Sequence, residues 1–138
     1  MKNSVFIIVL ALLAFSCGNN SEKSSEEIRE LEDGNYKVLE FEGENISAED
    51  YRLQVDAEEK RLAGNLGCNN FSTRYEFIED GIRFKPGIGT KMYCEGKMQY
   101  EDRLGEILPE ISKLVKNGED LIFLSETEEE LLKITKID

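Results

Sequence analysis

The sequence predicts an α+β fold that is mainly β: an antiparallel sheet curled into a barrel-like shell of about eight strands, with one helix covering an opening. Several short segments alternate apolar and polar residues, which is typical of strands with one buried face. The pairs Asp80-Gly81 and Asn117-Gly118 favour tight hairpin turns between such strands. Only one segment has the three-and-four apolar spacing of an amphipathic helix. A single helix is therefore expected to cover the shell.

The first segment, residues 1–16, has the properties of a lipoprotein signal peptide. A short basic start precedes an uninterrupted apolar run from Val5 to Phe15, which is too short to span a bilayer comfortably. The residues before Cys17 resemble a lipobox, although Ala14 stands where a large aliphatic residue is usual. We expect cleavage before Cys17 and a lipid on its thiol, which would hold the chain to a membrane. A soluble secreted protein and an uncleaved anchor are the alternatives.

The next segment, residues 17–30, is predicted to be the acylated cysteine followed by a flexible acidic tether. It is rich in Ser and Glu and lacks a strand pattern. Its acidic cluster of Glu22, Glu26 and Glu27 could alternatively direct a lipoprotein across the outer membrane. The expected location is therefore the outer membrane facing the periplasm, with the cell surface as the alternative.

The folded domain is predicted to span residues 31–138, a length that can bury about two-thirds of its unfolded-chain surface. Its first strand, from Asn35 to Phe41, alternates with an ambiguous facing. Tyr51 to Val55 alternates cleanly, and a charged turn at residues 56–60 leads into residues 61–64. These segments are expected to form an antiparallel meander.

A hairpin is predicted around Asp80-Gly81. Phe71 to Ile78 alternates aromatic or apolar residues with polar ones, and Ile82 begins the return strand. Pro86-Gly87 and Gly89 follow, and residues of these types interrupt strand pairing. The second arm of the hairpin is therefore expected to be irregular.

The helix is predicted to run from about Lys97 to Leu108, and Pro109 is expected to end it. Its apolar residues recur at helical spacing and should form a buried stripe. The stripe consists of Tyr100, Leu104, Ile107 and Leu108.

The C-terminal part is predicted to contain three more strands. Ile111 to Lys116 and Asp120 to Ser125 are expected to pair through a turn at Asn117-Gly118. An acidic turn from Glu126 to Glu130 precedes the closing strand, Leu131 to Ile137.

The charge of the chain excludes some partners. The full sequence has a formal net charge of −12, and removal of residues 1–16 makes the mature chain one unit more negative because only Lys2 is lost. Such a surface repels phosphate backbones and anionic lipid head groups, so nucleic-acid binding is not expected. The chain has no histidine, no Cys-x-x-Cys pair and no calcium-loop pattern, so neither a metal nor another cofactor is expected.

The sequence does not indicate an enzyme. No Ser-His or Cys-His pairing is possible, and no glycine-rich phosphate loop precedes the helix. The carboxylates are too numerous for any pair to stand out, although a glycosidase-like pair stays open. We therefore expect no catalytic residues.

The cysteine count is consistent with one disulfide. If Cys17 carries the lipid, Cys68 and Cys94 are the two of the three cysteines that can pair in an oxidising compartment. Folding of the hairpin around Asp80-Gly81 would bring them to the ends of adjacent strands. The closed loop would contribute about 3.5 kcal/mol in the chain-entropy model. The alternative, a reactive cysteine, lacks a histidine to activate it.

Two short motifs identify a family resemblance. Gly67-Cys68-Asn69-Asn70-Phe71 is followed by Thr90-Lys91-Met92-Tyr93-Cys94, and this order resembles the META/HslJ family of small bacterial envelope proteins. The resemblance covers most of residues 34–137, and Glu101 matches a glutamate that is common in the family. The sequence departs from the family pattern at Tyr36, in the first strand, where the family often has tryptophan.

The motif residues have a structural and a functional interpretation. In the structural one, Gly67 allows a bend, Asn69 and Thr90 cap backbone groups at it, and Phe71 and Met92 lie in the core. In the functional one, a polar patch binds a ligand or partner. The candidate patch residues are Asn69, Asn70, Thr90 and Glu101.

The resemblance implies a non-catalytic envelope lipoprotein that supports the cell under envelope stress or antibiotic exposure, because HslJ-like relatives are associated with heat response and novobiocin tolerance. One alternative is a protein-binding module, since META-type domains are similar in fold to secretion pilotins, with the concave face under the helix as the groove. Another is an inhibitor of a basic hydrolase such as lysozyme, which an acidic domain would meet rapidly. An envelope protein is thus a possible partner, and the sequence does not indicate the oligomeric state.

Overall fold

The computed structural model describes residues 25–138, which form eleven strands, one α-helix (α1) and one 3-10 helix. The strands are β1 (Glu26–Glu27), β2 (Gly34–Phe41), β3 (Glu44–Asn45), β4 (Arg52–Asp56), β5 (Arg61–Asn65), β6 (Asn70–Ile78), β7 (Gly81–Phe84), β8 (Ile88–Gly89), β9 (Ile111–Asn117), β10 (Asp120–Ser125) and β11 (Glu130–Lys136). Helix α1 is Gln99–Ile107, and the 3-10 helix is Leu108–Glu110.

The sheet is antiparallel and curls upon itself. Its strands pair in the order β1-β9-β10-β11-β2-β4-β5-β6-β7, with the short strands β3 and β8 beside β2 and β6. The last strand in this order, β7, lies against β9 and so closes the shell. The two backbones approach closely: a Cβ added at Gly81 of β7 would lie 1.9 Å from the backbone oxygen of Ser112 in β9. The predicted mainly β shell with one covering helix is confirmed.

The core fills the interior of the curled sheet. Alternate residues of the strands point inward and meet the apolar face of α1, as period-two and helical patterning require. Tyr36 is 2% exposed, and its hydroxyl donates to the backbone oxygen of Glu32 at 2.8 Å. Tyrosine therefore fills this position in the first long strand. Other buried side chains are Leu53, Leu62, Ile82, Leu114, Phe123 and Ile134.

The N-terminal boundary of the domain lies before residue 31. Glu26 and Glu27 pair with Lys116 and Val115 of β9, and the amide of Ile28 donates to Leu114 at 3.0 Å. The last residues of the predicted tether are thus part of the sheet. The sequence carried no strand pattern here because the pairing uses backbone groups and leaves the glutamate side chains exposed.

Both predicted glycine hairpins form, with their turns shifted by one residue. Ile78 pairs with Gly81, so the turn residues are Glu79-Asp80 and Gly81 begins the return strand. Asn117 likewise pairs with Asp120, which places the turn at Gly118-Glu119. Gly81 has a φ of 139°, and its missing side chain permits the close approach to β9 rather than forming the turn.

Helix α1 has the predicted buried stripe. Leu104, Ile107 and Leu108 are buried, and Tyr100 packs edge-on against Phe41 and Tyr51 with ring centroids 5.6 Å apart in each pair. The helix ends at Ile107, and Pro109 lies in the 3-10 helix that leads directly into β9.

The shell has two ends. One end, the helix pole, carries α1, the loop at residues 66–69 and the segment at residues 85–98. Helix α1 lies at this end because β9 begins there, at Ile111, directly after the 3-10 helix. The other end, the turn pole, carries the turns at residues 79–80 and 118–119. Since Glu26 pairs with Lys116 near the end of β9, the chain enters the domain on the side of the turn pole.

We expect the change Gly81→Ala to lower the free energy of unfolding by about 3 kcal/mol or more, because it adds a steric clash with Ser112 to the strain of a positive φ. Gly43→Ala is the matched control. Its φ is 78° but a Cβ there meets no atom within 4 Å, so only about 1–2 kcal/mol of backbone strain is expected. Urea unfolding measures both, and equal losses would contradict the close contact between β7 and β9.

Candidate functional site

Asn69 lies at the centre of the helix pole and is 7% exposed. Its side-chain oxygen accepts hydrogen bonds from the backbone amide of Met92 at 2.7 Å and the hydroxyl of Thr90 at 2.9 Å. Its side-chain nitrogen donates to the backbone oxygen of Met92 and to a carboxylate oxygen of Glu101, each at 3.0 Å. The amide group thus uses two acceptor and two donor positions within the domain, which is its usual capacity.

Glu101 joins helix α1 to the same loop. One carboxylate oxygen accepts from the backbone amide of Cys68 at 2.5 Å and from the backbone amide of Asn69, and the other accepts from the Asn69 side chain. Hydrogen bonds to an ionised carboxylate are among the strongest in proteins. This half-buried carboxylate therefore serves as a fixed acceptor for two successive amides of the bend.

Gly67 allows this bend to form. Its φ is 129°, and a Cβ there would lie 2.6 Å from the backbone oxygen of Lys97. Asn65 supports the bend on the other side, where its side chain accepts from the amide of Gly67 at 2.9 Å and donates to the oxygen of Cys68 at 3.2 Å. Asn65 was missed in the sequence because an asparagine that bonds its own loop has no distinguishing spacing.

The disulfide and Thr90 fasten the segment at residues 85–94 to β6. Cys68 and Cys94 are bonded with a Cα–Cα distance of 5.9 Å, which confirms the predicted pair. The hydroxyl of Thr90 accepts from the backbone amide of Asn70 at 3.1 Å, and the amide of Thr90 donates to the Asn70 oxygen at 3.0 Å. Strand β8 pairs with Phe71 and Ser72, so the predicted irregular second arm returns beside β6 after a break at Pro86-Gly87.

The four predicted patch residues therefore lie together, and hydrogen bonds join three of them to one another and to the backbone around them. Asn69, Thr90 and Glu101 form the network, whereas the exposed side chain of Asn70 accepts only from Asn65, at 3.3 Å. The structure thus accounts for these residues as parts of a junction. The expectation that Met92 lies in the core is wrong: it is 55% exposed because its backbone, not its side chain, meets Asn69.

A second group of polar contacts, centred on Arg103, joins helix α1 to the turn between β2 and β3. The guanidinium of Arg103 donates to both carboxylate oxygens of Glu42, at 2.7 and 2.6 Å, and to Glu106 at 2.5 Å. These bonds hold the pKa of Arg103 above its usual range, the bond to Glu42 most strongly. Burial raises the pKa of Tyr100 on the adjacent turn, so at neutral pH that side of the helix presents a neutral phenol beside a permanent cation.

A groove lies between helix α1 and the segment at residues 85–94. It consists of two adjoining cavities of about 480 and 470 Å³, which share Phe71, Gly89 and Glu101. The first has an apolar floor of Phe71, Phe84, Leu104 and Leu108, and the second runs past Asn70, Thr90 and Lys91. The expectation that the concave face under the helix forms the groove is wrong, because the core fills that face. The groove lies beside the helix, and no sequence pattern indicated it there because its walls come from segments that meet only in the folded chain.

Among residues 25–138, no cluster of three or more acidic or cysteine side chains is arranged to hold a metal ion. No helix in this described part of the chain is long and apolar enough to cross a membrane.

These features define a small antiparallel β-shell domain that has one covering helix and is fastened at the helix pole by a disulfide and an Asn-Glu network. A family model, that of the META domain, matches residues 29–137, and the chain belongs to this family.

Two solved structures share the fold. One is the NMR structure of a protein from Burkholderia xenovorans, with a TM-score of 0.60 and 16% identity over 78% of this chain and 83% of that chain. The other, also solved by NMR, has a TM-score of 0.59 and 15% identity over 77% of this chain and 91% of that chain. No curated protein matches the sequence.

We expect Glu101→Ala to lower the free energy of unfolding by about 2–4 kcal/mol, because it leaves the amides of Cys68 and Asn69 without their acceptor. Glu101→Gln should cost less, since its amide oxygen can still accept. Glu106→Ala, on the exposed side of the same helix, is the control and should stay within about 0.5 kcal/mol. Urea unfolding measures the three, and a Glu101→Ala protein as stable as the control would show that the contact is not structural.

We expect the Cys68→Ser/Cys94→Ser protein to lose about 3.5 kcal/mol of stability, because the bond closes a loop with a sequence separation of 26 residues. Its far-ultraviolet circular dichroism should match that of the parent, since the strand ladders do not depend on the bond. Thermal melting with and without reductant provides the measurement. Mass spectrometry that finds both thiols free in protein taken from the cell envelope would contradict the pairing in the cell.

Proposed function

We propose that this META-domain protein is a non-catalytic lipoprotein of the cell envelope, held to the outer membrane by a lipid on Cys17. Its domain acts by binding at the helix pole and in this way supports the cell under envelope stress. Cys17 lies outside the described residues, so the proposal for the anchor rests on the sequence before it.

One observation carries the non-catalytic part of this proposal. The polar motif residues direct their hydrogen-bonding groups at other groups of the domain: the side-chain amide of Asn69 meets Met92, Thr90 and Glu101, and the Glu101 carboxylate meets two backbone amides. Acid, base and nucleophilic catalysis require such groups within reach of a substrate. At the helix pole, the surface that stays available for contact is the groove and its apolar rim.

The position of the N-terminal strand supports binding at a distance from the membrane. Glu26 enters the sheet on the side of the turn pole, and only eight residues separate it from Cys17. Eight residues span at most about 28 Å when fully extended. An anchor on Cys17 would therefore attach the domain on the side of the turn pole, at the opposite end from the helix pole.

Protein binding is the second candidate function. It would also be the means by which the domain supports the cell under envelope stress. The exposed apolar residues Ile88, Met92 and Tyr93 lie beside the groove. Apolar side chains clustered at the rim of a concave surface are typical of interaction sites. A pilotin-like role, in which a tethered domain escorts another envelope protein, agrees with this arrangement.

The anchor is tested in cells that produce the Cys17→Ala protein in place of the parent. We expect it to lose palmitate labelling and to appear in the soluble periplasmic fraction or stay unprocessed, because it lacks the acylated thiol. A deletion strain should grow more slowly than the parent under heat, novobiocin or detergent, and the parent gene should restore its growth.

The strain with Cys17→Ala separates the two parts of the proposal. Persistence of the label in that strain would overturn the lipid site. Equal growth of the deletion strain and the parent in all three conditions would overturn the role in envelope stress. Restoration of growth by the Cys17→Ala protein would show that the domain works without its anchor.

A further inference from the structure

We propose that the groove between α1 and the segment at residues 85–94 binds an extended segment of a partner protein that carries apolar side chains and a carboxylate. This inference rests on the proposed binding function and states the chemistry of its partner.

The shape of the groove suits an extended chain. Its lining runs from Met98, just before helix α1, to Pro109 in the 3-10 helix, which is about 16 Å at the rise of an α-helix. An extended chain rises about 3.4 Å per residue, so four or five residues would fill this length. The alternation of an extended chain would direct every second side chain into the groove.

The groove has room for side chains at its apolar half. Its floor is formed by Phe71, Phe84, Leu104 and Leu108. A Cβ added at Gly105 would meet no atom within 4 Å, so the helix surface recedes at this point and leaves open space above the floor. Apolar side chains from another molecule can therefore enter without displacing a residue of the domain.

The rim of the groove is apolar and exposed. Ile88 is 78% exposed, Met92 55% and Tyr93 83%. Within residues 25–138, the other exposed large apolar residue is Ile137, at 41%. Single exposed apolar residues are normal, whereas three on one short loop beside a cavity mark a contact surface.

The loop wall of the groove is basic in an otherwise acidic chain. Residues 85–94 contain Lys85 and Lys91 and no acidic residue, whereas the whole chain has a formal net charge of −12. Lys85 pairs with Glu76 at 3.1 Å. Among the described residues, the ammonium group of Lys91 has no carboxylate within ion-pair distance. A carboxylate of the partner would complete this wall.

The helix wall of the groove is acidic. Asp102 lines the same cavity as Lys91, and the Glu101 carboxylate is already bonded to backbone amides. We therefore place the carboxylate of the partner on the side of Lys91 and its apolar side chains between Phe84 and Leu104. The two walls together would fix the direction of the bound segment.

A lipid surface fits these observations less well. The chain enters the domain from the turn pole, so an anchor on Cys17 would hold the domain at the end opposite the groove. Acidic loops at residues 42–50 and 126–130 lie at the same pole as the basic segment, and they would meet anionic head groups unfavourably. A bilayer is also flat and would leave the floor of the groove unfilled.

The test uses the full-length protein in mild detergent and a phage-displayed library of random twelve-residue peptides. We expect enriched peptides to combine alternating apolar residues with an aspartate or glutamate. Their binding, measured by fluorescence polarisation with synthetic copies, should weaken about tenfold or more in Gly105→Phe, which fills the groove. Lys91→Glu should weaken it by a similar factor through its charge, and replacement of the acidic residue by lysine in the peptide should do the same.

Two controls accompany these variants. Gly105→Ala adds only a methyl group in open space and should keep at least the parent stability, because alanine favours a helix. Lys60→Glu makes the same charge change as Lys91→Glu in an exposed turn between β4 and β5, at the turn pole, and should leave peptide affinity unchanged. Melting curves and far-ultraviolet spectra show that each variant is folded.

The proposal is overturned if no peptide is enriched, or if folded Gly105→Phe and Lys91→Glu proteins bind the enriched peptides as tightly as the parent. It is also overturned if the Cys17→Ala protein fails to bind peptide but binds vesicles of phosphatidylethanolamine and phosphatidylglycerol through Lys91 and Tyr93. That result would make the loop a membrane surface. Retained peptide binding by Cys17→Ala supports the groove whatever the labelling experiment shows about the anchor.

Discussion

The helix pole depends on one contact: the Glu101 carboxylate accepts hydrogen bonds from two backbone amides. The amides of Cys68 and Asn69 point away from the sheet at a bend that Gly67 permits, so no strand can satisfy them. A carboxylate from the covering helix supplies the missing acceptor. The same bond therefore closes the bend and sets the position of α1 over the core.

Asn69 extends this junction to the segment at residues 85–94. Its side chain links Glu101 to Thr90 and Met92, and the disulfide from Cys68 joins the far end of the segment to the same loop. The hydrogen bonds and the disulfide thus converge on two successive residues, Cys68 and Asn69. The segment leaves β7 at Pro86-Gly87 and runs clear of the helix, and this separation creates the groove.

The sequence predicted the parts of the fold that depend on side-chain patterns: the strands by alternation, the helix by its stripe, and the disulfide by parity. The sequence did not predict the features that depend on backbone contacts. Strand β1 pairs through its main chain with glutamates exposed, and Met92 contacts the core network through its amide rather than its side chain. The hairpin turn lies one residue earlier than predicted, and Gly81 lies in β7, where the absence of a side chain permits the close approach to Ser112. The motifs located the junction, but the groove depends on the distance between α1 and residues 85–94, which no local pattern encodes.

The contacts at both ends of this segment explain how a small domain keeps a groove beside exposed apolar residues. A mobile loop would fold Ile88, Met92 and Tyr93 onto the apolar floor and bury them, because burial of each would contribute about 1.5–3 kcal/mol. The pairing of β8 with β6 holds one end of the loop, and the Asn69 amide and the Cys68–Cys94 bond hold the other. The conformational entropy of the loop is therefore lost on folding rather than on binding. A motif that is structural in its hydrogen bonds would in this way preorganise a surface for a partner.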